Sequence, residues 1–185
     1  MFIAEEKLQS NVAEYVIYMF QIEDLIRAYN FDIESIRQNI IRPQVKSDAF
    51  EEEAVKWYED IVTEMKSRKL QTKEHLFRVN EVITELIYLH NTLKDVVKDP
   101  KYIGLIEHAE GHVEAFRNKS DLKDNHLVDI CFQALYMKML LRLQKKEISQ
   151  ESEVAFDSMR IVLAYLSKAY HQMKSGDMSM FEPHQ

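Results

Sequence analysis

Glycine and proline are scarce, with three of each in 185 residues, about 3% together where roughly 12% is usual. Tight hairpins, dinucleotide-binding loops and phosphate-binding loops all require glycine, so the shortage excludes most β and α/β architectures. Cysteine is scarcer still. Cys131 stands alone, which rules out an intramolecular disulfide, and its place in L-V-D-I-C-F-Q-A-L-Y reads as a small buried hydrophobe, not a nucleophile. Positive charge is outnumbered, with 24 Lys+Arg against 31 Asp+Glu for a net of −7, a poor match for nucleic acid or an anionic membrane surface. Long apolar runs are missing as well. The greasiest segment, Leu127–Leu143, is broken by Asp129, Gln133, Lys138 and Arg142 and is too short and too polar to span a bilayer. The opening M-F-I-A-E-E-K carries Glu5 and Glu6 where a signal peptide needs basic residues and then an apolar stretch, so the expected location is the cytoplasm.

What is present is helical periodicity. Leu8, Val12, Tyr15, Met19, Ile22, Ile26 and Tyr29 step by fours and threes, which predicts one helix over residues 4–29. Asp32 is a plausible N-cap for a short helix carrying Ile33, Ile36 and Ile40, ended by Pro43. Asp48 and Glu51 read as a capping box opening a third helix, whose expected inward face is Phe50, Ala54, Trp57, Ile61 and Met65. Thr72 is the expected cap of a fourth helix with Leu76, Val79, Ile83, Leu86, His90, Leu93 and Val97 on its stripe. Asp99-Pro100 opens a fifth, carrying Tyr102, Ile106, Ala109, Val113 and Phe116. The polar connection over residues 118–125 is expected to hold the cap of a sixth, and Ser149 caps the last, closed by Gly176. The fold class that follows is all-α: a single antiparallel helical bundle of five long and two short helices over residues 1–176, with 177–185 a flexible C-terminal tail.

The charge imbalance is local. Residues 1–60 hold 6 Lys+Arg against 13 Asp+Glu, a net of −7, while the other 125 residues hold 18 of each sign. An acidic N-terminal third keeps a surface solvated and steers basic partners.

Histidines are the first candidates for chemistry. His108 and His112 in H-A-E-G-H are four apart, a spacing at which two imidazoles on one helix share a metal. The zinc-protease motif needs a glutamate where Ala109 stands, and Lys101 and Lys119 lie at the two ends of the histidine stripe. Di-iron carboxylate bundles need Glu-x-x-His, and the residues three before the seven histidines are Thr72, Ile87, Leu105, Ala109, Lys123, Lys168 and Phe181. None is glutamate. His90 replaces an apolar residue in a helix seam, so it needs a polar partner, and Tyr15 and Asp129 are the candidates for a pocket around it. His90, His108 and His112 together form a candidate transition-metal triad. Arg68 and His75 match the loose spacing of an Arg/His pair in some helical RNA-cleaving toxins, although Arg68 is also explained as a charge at a helix C-terminus. No nucleophile elbow, phosphate-binding loop or dinucleotide fingerprint occurs.

The opening M-F-I-A-E-E-K, with N-V-A-E-Y-V-I-Y-M-F-Q-I-E-D-L-I-R-A, V-K-W-Y and C-F-Q-A-L-Y followed by L-L-R-L-Q-K-K-E-I-S, resembles a bacterial domain-of-unknown-function family of about this length. The resemblance implies a bacterial, all-helical, single-domain, cytoplasmic protein and carries no functional residues with it. The functional expectation is a non-enzymatic module that acts through its surface, with a protein partner or a second copy of itself and no resident cofactor. The alternative is a metal- or small-ligand-binding bundle, hydrolytic or not, built on His90, His108 and His112.

Overall fold

Polar groups from distant helices decide where several of the helices begin. The computed structural model describes residues 2–45, 47–72, 74–120, 122–177 and 179. It contains α1 (Phe2–Ser10), α2 (Val12–Ala28), α3 (Ile33–Ile36), α4 (Asp48–Ser67), α5 (Phe77–Asn91), α6 (Pro100–Lys119), α7 (Leu127–Leu143) and α8 (Gln150–Ser175). Short π-helical turns at Arg37–Ile41 and Thr92–Val96 extend α3 and α5. The described residues contain no strand, so the all-α class holds.

The predicted first helix is two. Asn11 leaves the helical region at φ −154°, and its side-chain oxygen accepts the Glu14 N–H at 3.2 Å to cap α2. The break is held from α8, where His171 Nε2 accepts the Val12 N–H at 3.1 Å and the Ser167 hydroxyl donates to Asn11 Oδ1 at 3.0 Å. The His171 contact satisfies the Val12 N–H that the break frees, and Ser167 fixes the Asn11 oxygen that caps Glu14. The split adds the nine-residue α1 as a short helix; six helices of 15 residues or more stand among the described residues, where five long ones were expected. Asn11→Ala is expected to lower stability by about 1–2 kcal/mol, measured by urea denaturation, because both the cap and the α8 contact go.

Further caps shift in the same way. Ser47, not Asp48, caps α4. Glu51 turns instead to Arg37 and Arg42, which the π turn brings onto one side, five residues apart, so that both guanidiniums reach a single carboxylate. The buried face of α4 is Val55, Tyr58, Ile61, Val62 and Met65, and the expected inward Phe50 is 53% exposed. Thr72 caps nothing. At the start of α5, Glu23 of α2 accepts the Leu76 N–H at 2.9 Å and Glu64 of α4 accepts the Phe77 N–H at 3.1 Å. His126, one residue beyond the predicted connection, caps α7 through Nδ1 and the Val128 N–H. Asp32, Asp99, Ser149 and Gly176 cap where the sequence places them.

One apolar core runs from Ala4 to Tyr170 and includes Phe20, Leu86, Tyr102, Ile130 and Phe132. α8 packs against α2, α5, α6 and α7, and α7 also contacts α2 and α5. Each fully buried large side chain contributes roughly 1.5–3 kcal/mol of transfer free energy. No helix among the described residues is long and apolar enough to cross a membrane. Of the expected C-terminal tail, Asp177 accepts from Gln172 Nε2 at 3.0 Å and from the Ser179 N–H, and most of the rest lies outside the described residues.

Candidate functional site

The segment between α4 and α5 is folded inward by α2. Arg27 holds it: Nε donates to Leu70 O at 3.1 Å, one terminal nitrogen donates to Glu74 O at 2.6 Å, and the other pairs with Asp24 at 2.8 Å. Lys69 and Glu74 take left-handed φ values of 59° and 68°, which turn the chain at each end of this stretch. His75 is thereby directed at Glu23, whose carboxylate is fully buried and 2.6 Å from Nδ1. An ionised carboxylate only accepts, so Nδ1 carries the hydrogen-bonded proton. Phe20, one turn before Glu23, stacks on the imidazole at 3.8 Å between ring centroids and 16° between planes. Asn80 Nδ2 donates to His75 O at 3.0 Å. The ring is clamped on its face, at Nδ1 and through its backbone. Among the described residues the side-chain amide nitrogen of Gln133 on α7 lies 3.5 Å from Nε2.

That nitrogen opens into a cavity of about 440 Å³ lined by His75, Asn80, Asp129 and Gln133 with Ile83 and Leu122 among its apolar walls. Asp129 and Gln133 lie one turn apart on α7 and share this lining. Burial pushes the Asp129 carboxyl above its ordinary range, opposed by His126 and then by His75. Neither of those is a permanent cation.

A second concave surface is apolar. It encloses about 360 Å³ between α1, α2, the first π turn and α4, lined by Ile3, Tyr18, Ile40, Val45, Phe50 and Trp57, with Glu53 beside them. Ile3 is 48% exposed there. The exposed Glu5 and Glu6 on α1, and Glu53, Glu59 and Asp60 on α4, belong to the helices that form it. Of the cations on these elements, Lys7 pairs with Glu14, Arg37 with Glu51 and Glu52, and Arg42 with Glu51, while Lys56 on α4 is exposed.

The family model described as Domain of unknown function (DUF4924) matches residues 1–177. The chain belongs to this family. No curated protein and no solved structure matches it.

In this DUF4924 chain the histidines singled out by spacing do not assemble. His90 is buried on α5, and its Nδ1 accepts from the Tyr102 hydroxyl at 2.8 Å. Tyr102, expected only as a residue of an apolar stripe, is the partner of His90 in place of Tyr15 or Asp129, and Asp129 lines the His75 cavity. Tyr15 is buried on α2, where burial raises its pKa against the influence of Arg78. His108 is exposed, with its ring 6.2 Å from that of half-buried His112, and His112 Nδ1 lies 2.9 Å from the Ser158 hydroxyl. Among the described residues no three His, Cys, Asp or Glu side chains meet as a metal ion requires, so the proposed triad is not formed. Cys131 is fully buried, and burial pushes its thiol up to about 12. Arg68 lies 3.7 Å from Glu64 and over the Phe77 ring, while His75 turns inward to Glu23.

The site that spacing missed is Glu23–His75, two residues 52 positions apart. One signal pointed to half of it. Glu23 lies four residues after Met19 and three before Ile26, on the buried stripe of α2, where a carboxylate needs a partner.

Proposed function

We propose that the protein is an interaction module of the cytoplasm whose partner presents a basic amphipathic segment to the apolar groove between α1 and α4. The observation that carries this reading is the pairing of exposed apolar side chains with surplus negative charge on the same helices. A groove of aliphatic and aromatic residues accepts side chains spaced three and four apart along a helix. Glu53 at its edge and the exposed carboxylates of α1 and α4 attract lysine and arginine and speed encounter. A second copy of the chain would bring like charge against like. The groove lies within residues 1–60, which carry a net of −7, so the charge favours a basic partner over self-association. No metal or cofactor takes part in this reading.

Trp57 is the protein's single tryptophan and lines the groove, so its fluorescence reports occupancy. The probe is a synthetic amphipathic helix of about 18 residues with Leu and Phe on one face and Lys on the other, beside a twin with Glu for Lys. The Lys peptide is expected to shift Trp57 emission saturably in the range of about 10 μM, with the Glu peptide at least about tenfold weaker. Added salt should weaken the Lys peptide. Ala54→Glu and Phe50→Ser, each checked for helix content, should abolish the shift. Equal response to both peptides, or none, would overturn the proposal. So would a doubled mass in sedimentation that Ala54→Glu abolishes, since that makes a second copy the occupant.

A further inference from the structure

We infer that the cavity beside His75 is a binding site for a small organic amine in its protonated form, held by Asp129 and hydrogen-bonded to His75 Nε2. The imidazole is built for more than support. Glu23 would cap α5 through the Leu76 N–H with any spacer at position 75, yet the chain places an imidazole there and fixes it by stacking, by Nδ1 and by the Asn80 contact. With Nδ1 directed at Glu23, Nε2 is the ring nitrogen left facing the cavity, its lone pair an acceptor in the neutral imidazole. Its 3.5 Å contact with Gln133 is long for an N–H···N bond and leaves that lone pair free to take a better donor.

Charge selects the class of ligand. Asp129 and Glu74 line the cavity, the buried Glu23 stands behind His75, and no lysine or arginine occurs among the described lining residues. An anion would find amide donors from Asn80, Asn125 and Gln133 but no lysine or arginine, and would face two carboxylates. A protonated amine pairs with Asp129, which otherwise has the His126 backbone and the His126 and His75 imidazoles beside it, and supplies N–H donors to Nε2 and the Gln133 amide oxygen. Ile83 and Leu122 offer apolar wall to the carbon frame. The volume suits a molecule of the size of a diamine, a triamine or an aryl-ethylamine. A polyol would fill the space but leave the Asp129 charge without a counter-ion.

The test uses the full chain, with putrescine, spermidine and tyramine as probes and sulfate and succinate as anionic counterparts. The reporter is the His75 imidazole Cε1–H signal in NMR, assigned by its loss in His75→Gln. At least one amine is expected to move that signal saturably below about 10 mM, and the anions should leave it in place. Asp129→Asn, which keeps shape and removes charge, should weaken the amine about tenfold or more while the melting temperature stays within a few degrees. His108→Ala, on the far exposed face of α6, should bind as the wild type does. No movement with any amine, movement with an anion, or undiminished affinity in Asp129→Asn would overturn the inference. Peptide binding at the groove is read separately from Trp57, so each result stands without the other.

Discussion

Replacing Glu23 with leucine is expected to destabilise the protein by about 3–5 kcal/mol, against about 1–2 kcal/mol for Glu23→Gln. The carboxylate is fully buried and accepts from His75 Nδ1 and the Leu76 N–H at once. Leucine adds apolar contact but leaves both donors buried without an acceptor, and each such group costs about 1–3 kcal/mol. It also removes a negative group from the first turn of α5, where the helix dipole favours one. Glutamine retains an acceptor for one donor and the same length. The loss is local first. Amide exchange at Leu76 and Phe77 should accelerate more than that at Ile130 in the core of α7, because the α4–α5 segment loses its hold on Glu23 and keeps those on Arg27 and Glu64. Urea denaturation gives the total, and a cost for Glu23→Leu below about 1 kcal/mol would show that His75 and Leu76 find other acceptors.

Adding His75→Leu to Glu23→Leu separates the pair from the cap. If the imidazole is the larger burden once unpaired, the double variant recovers part of the loss, and the remainder belongs to Leu76 N–H. The same cycle guards the ligand reading. Loss of amine binding in these variants follows from a displaced imidazole, whereas loss in Asp129→Asn does not.

The helices with short-range signals were readable, and those defined by distant groups were not. Asp99 before Pro100, Ser149 and Gly176 cap through their own neighbours, so three or four residues carried the information. The break at Asn11 is hidden because the stripe from Leu8 to Ile26 continues in step across it; its local cap, Asn11 with Glu14, is joined by His171 and Ser167 on the far end of the chain. Thr72 looked like a cap because nothing local marks Glu23 and Glu64 as the true acceptors. Phe50 shows a different limit. Periodicity places an apolar residue on a face but does not say whether that face meets the core or borders a groove, and α4 turns Phe50 to the groove. The His90 partner was misassigned for the same reason. Tyr102 lies on α6's own apolar stripe, where a phenol ring is indistinguishable from a packing residue until its hydroxyl is seen to donate inward.

Protein stability is expected to fall as the pH drops from 7 to 5, with His90 the main cause. Its imidazole is 4% exposed, and burial, assisted by the neighbouring His126 and Lys94, brings its pKa down to about 4 from an ordinary 6.5. Between those values the unfolded chain takes up a proton that the folded protein refuses, so stability rises with pH there. The contribution is complete above about pH 6.5 and is lost as the pH falls toward 4. Linkage over this window makes the loss between pH 7 and 5 about 2 kcal/mol. His126 and His171 are also lowered by burial and act in the same direction. Asp129 is raised and has the opposite sign, favouring the folded state as acid is added just above its unfolded value. The hydrogen bond explains why the neutral form is specified. Tyr102 donates to Nδ1, stacks on Tyr165 at 5.4 Å, and Tyr165 in turn donates to Asp99 Oδ2 at 2.6 Å while Asp99 Oδ1 caps α6. Protonating Nδ1 turns that acceptor into a donor facing a hydroxyl and disturbs the start of α6 through this chain of contacts. His90→Gln keeps an acceptor for Tyr102 and has no proton to gain, so its stability should change much less between pH 7 and 5. Urea midpoints at the two pH values measure the difference, and NMR of the wild type should show the His90 ring neutral at pH 6. Equal pH slopes in the two proteins, or a His90 ring that titrates near 6.5, would contradict a neutral imidazole locked in the α5 seam.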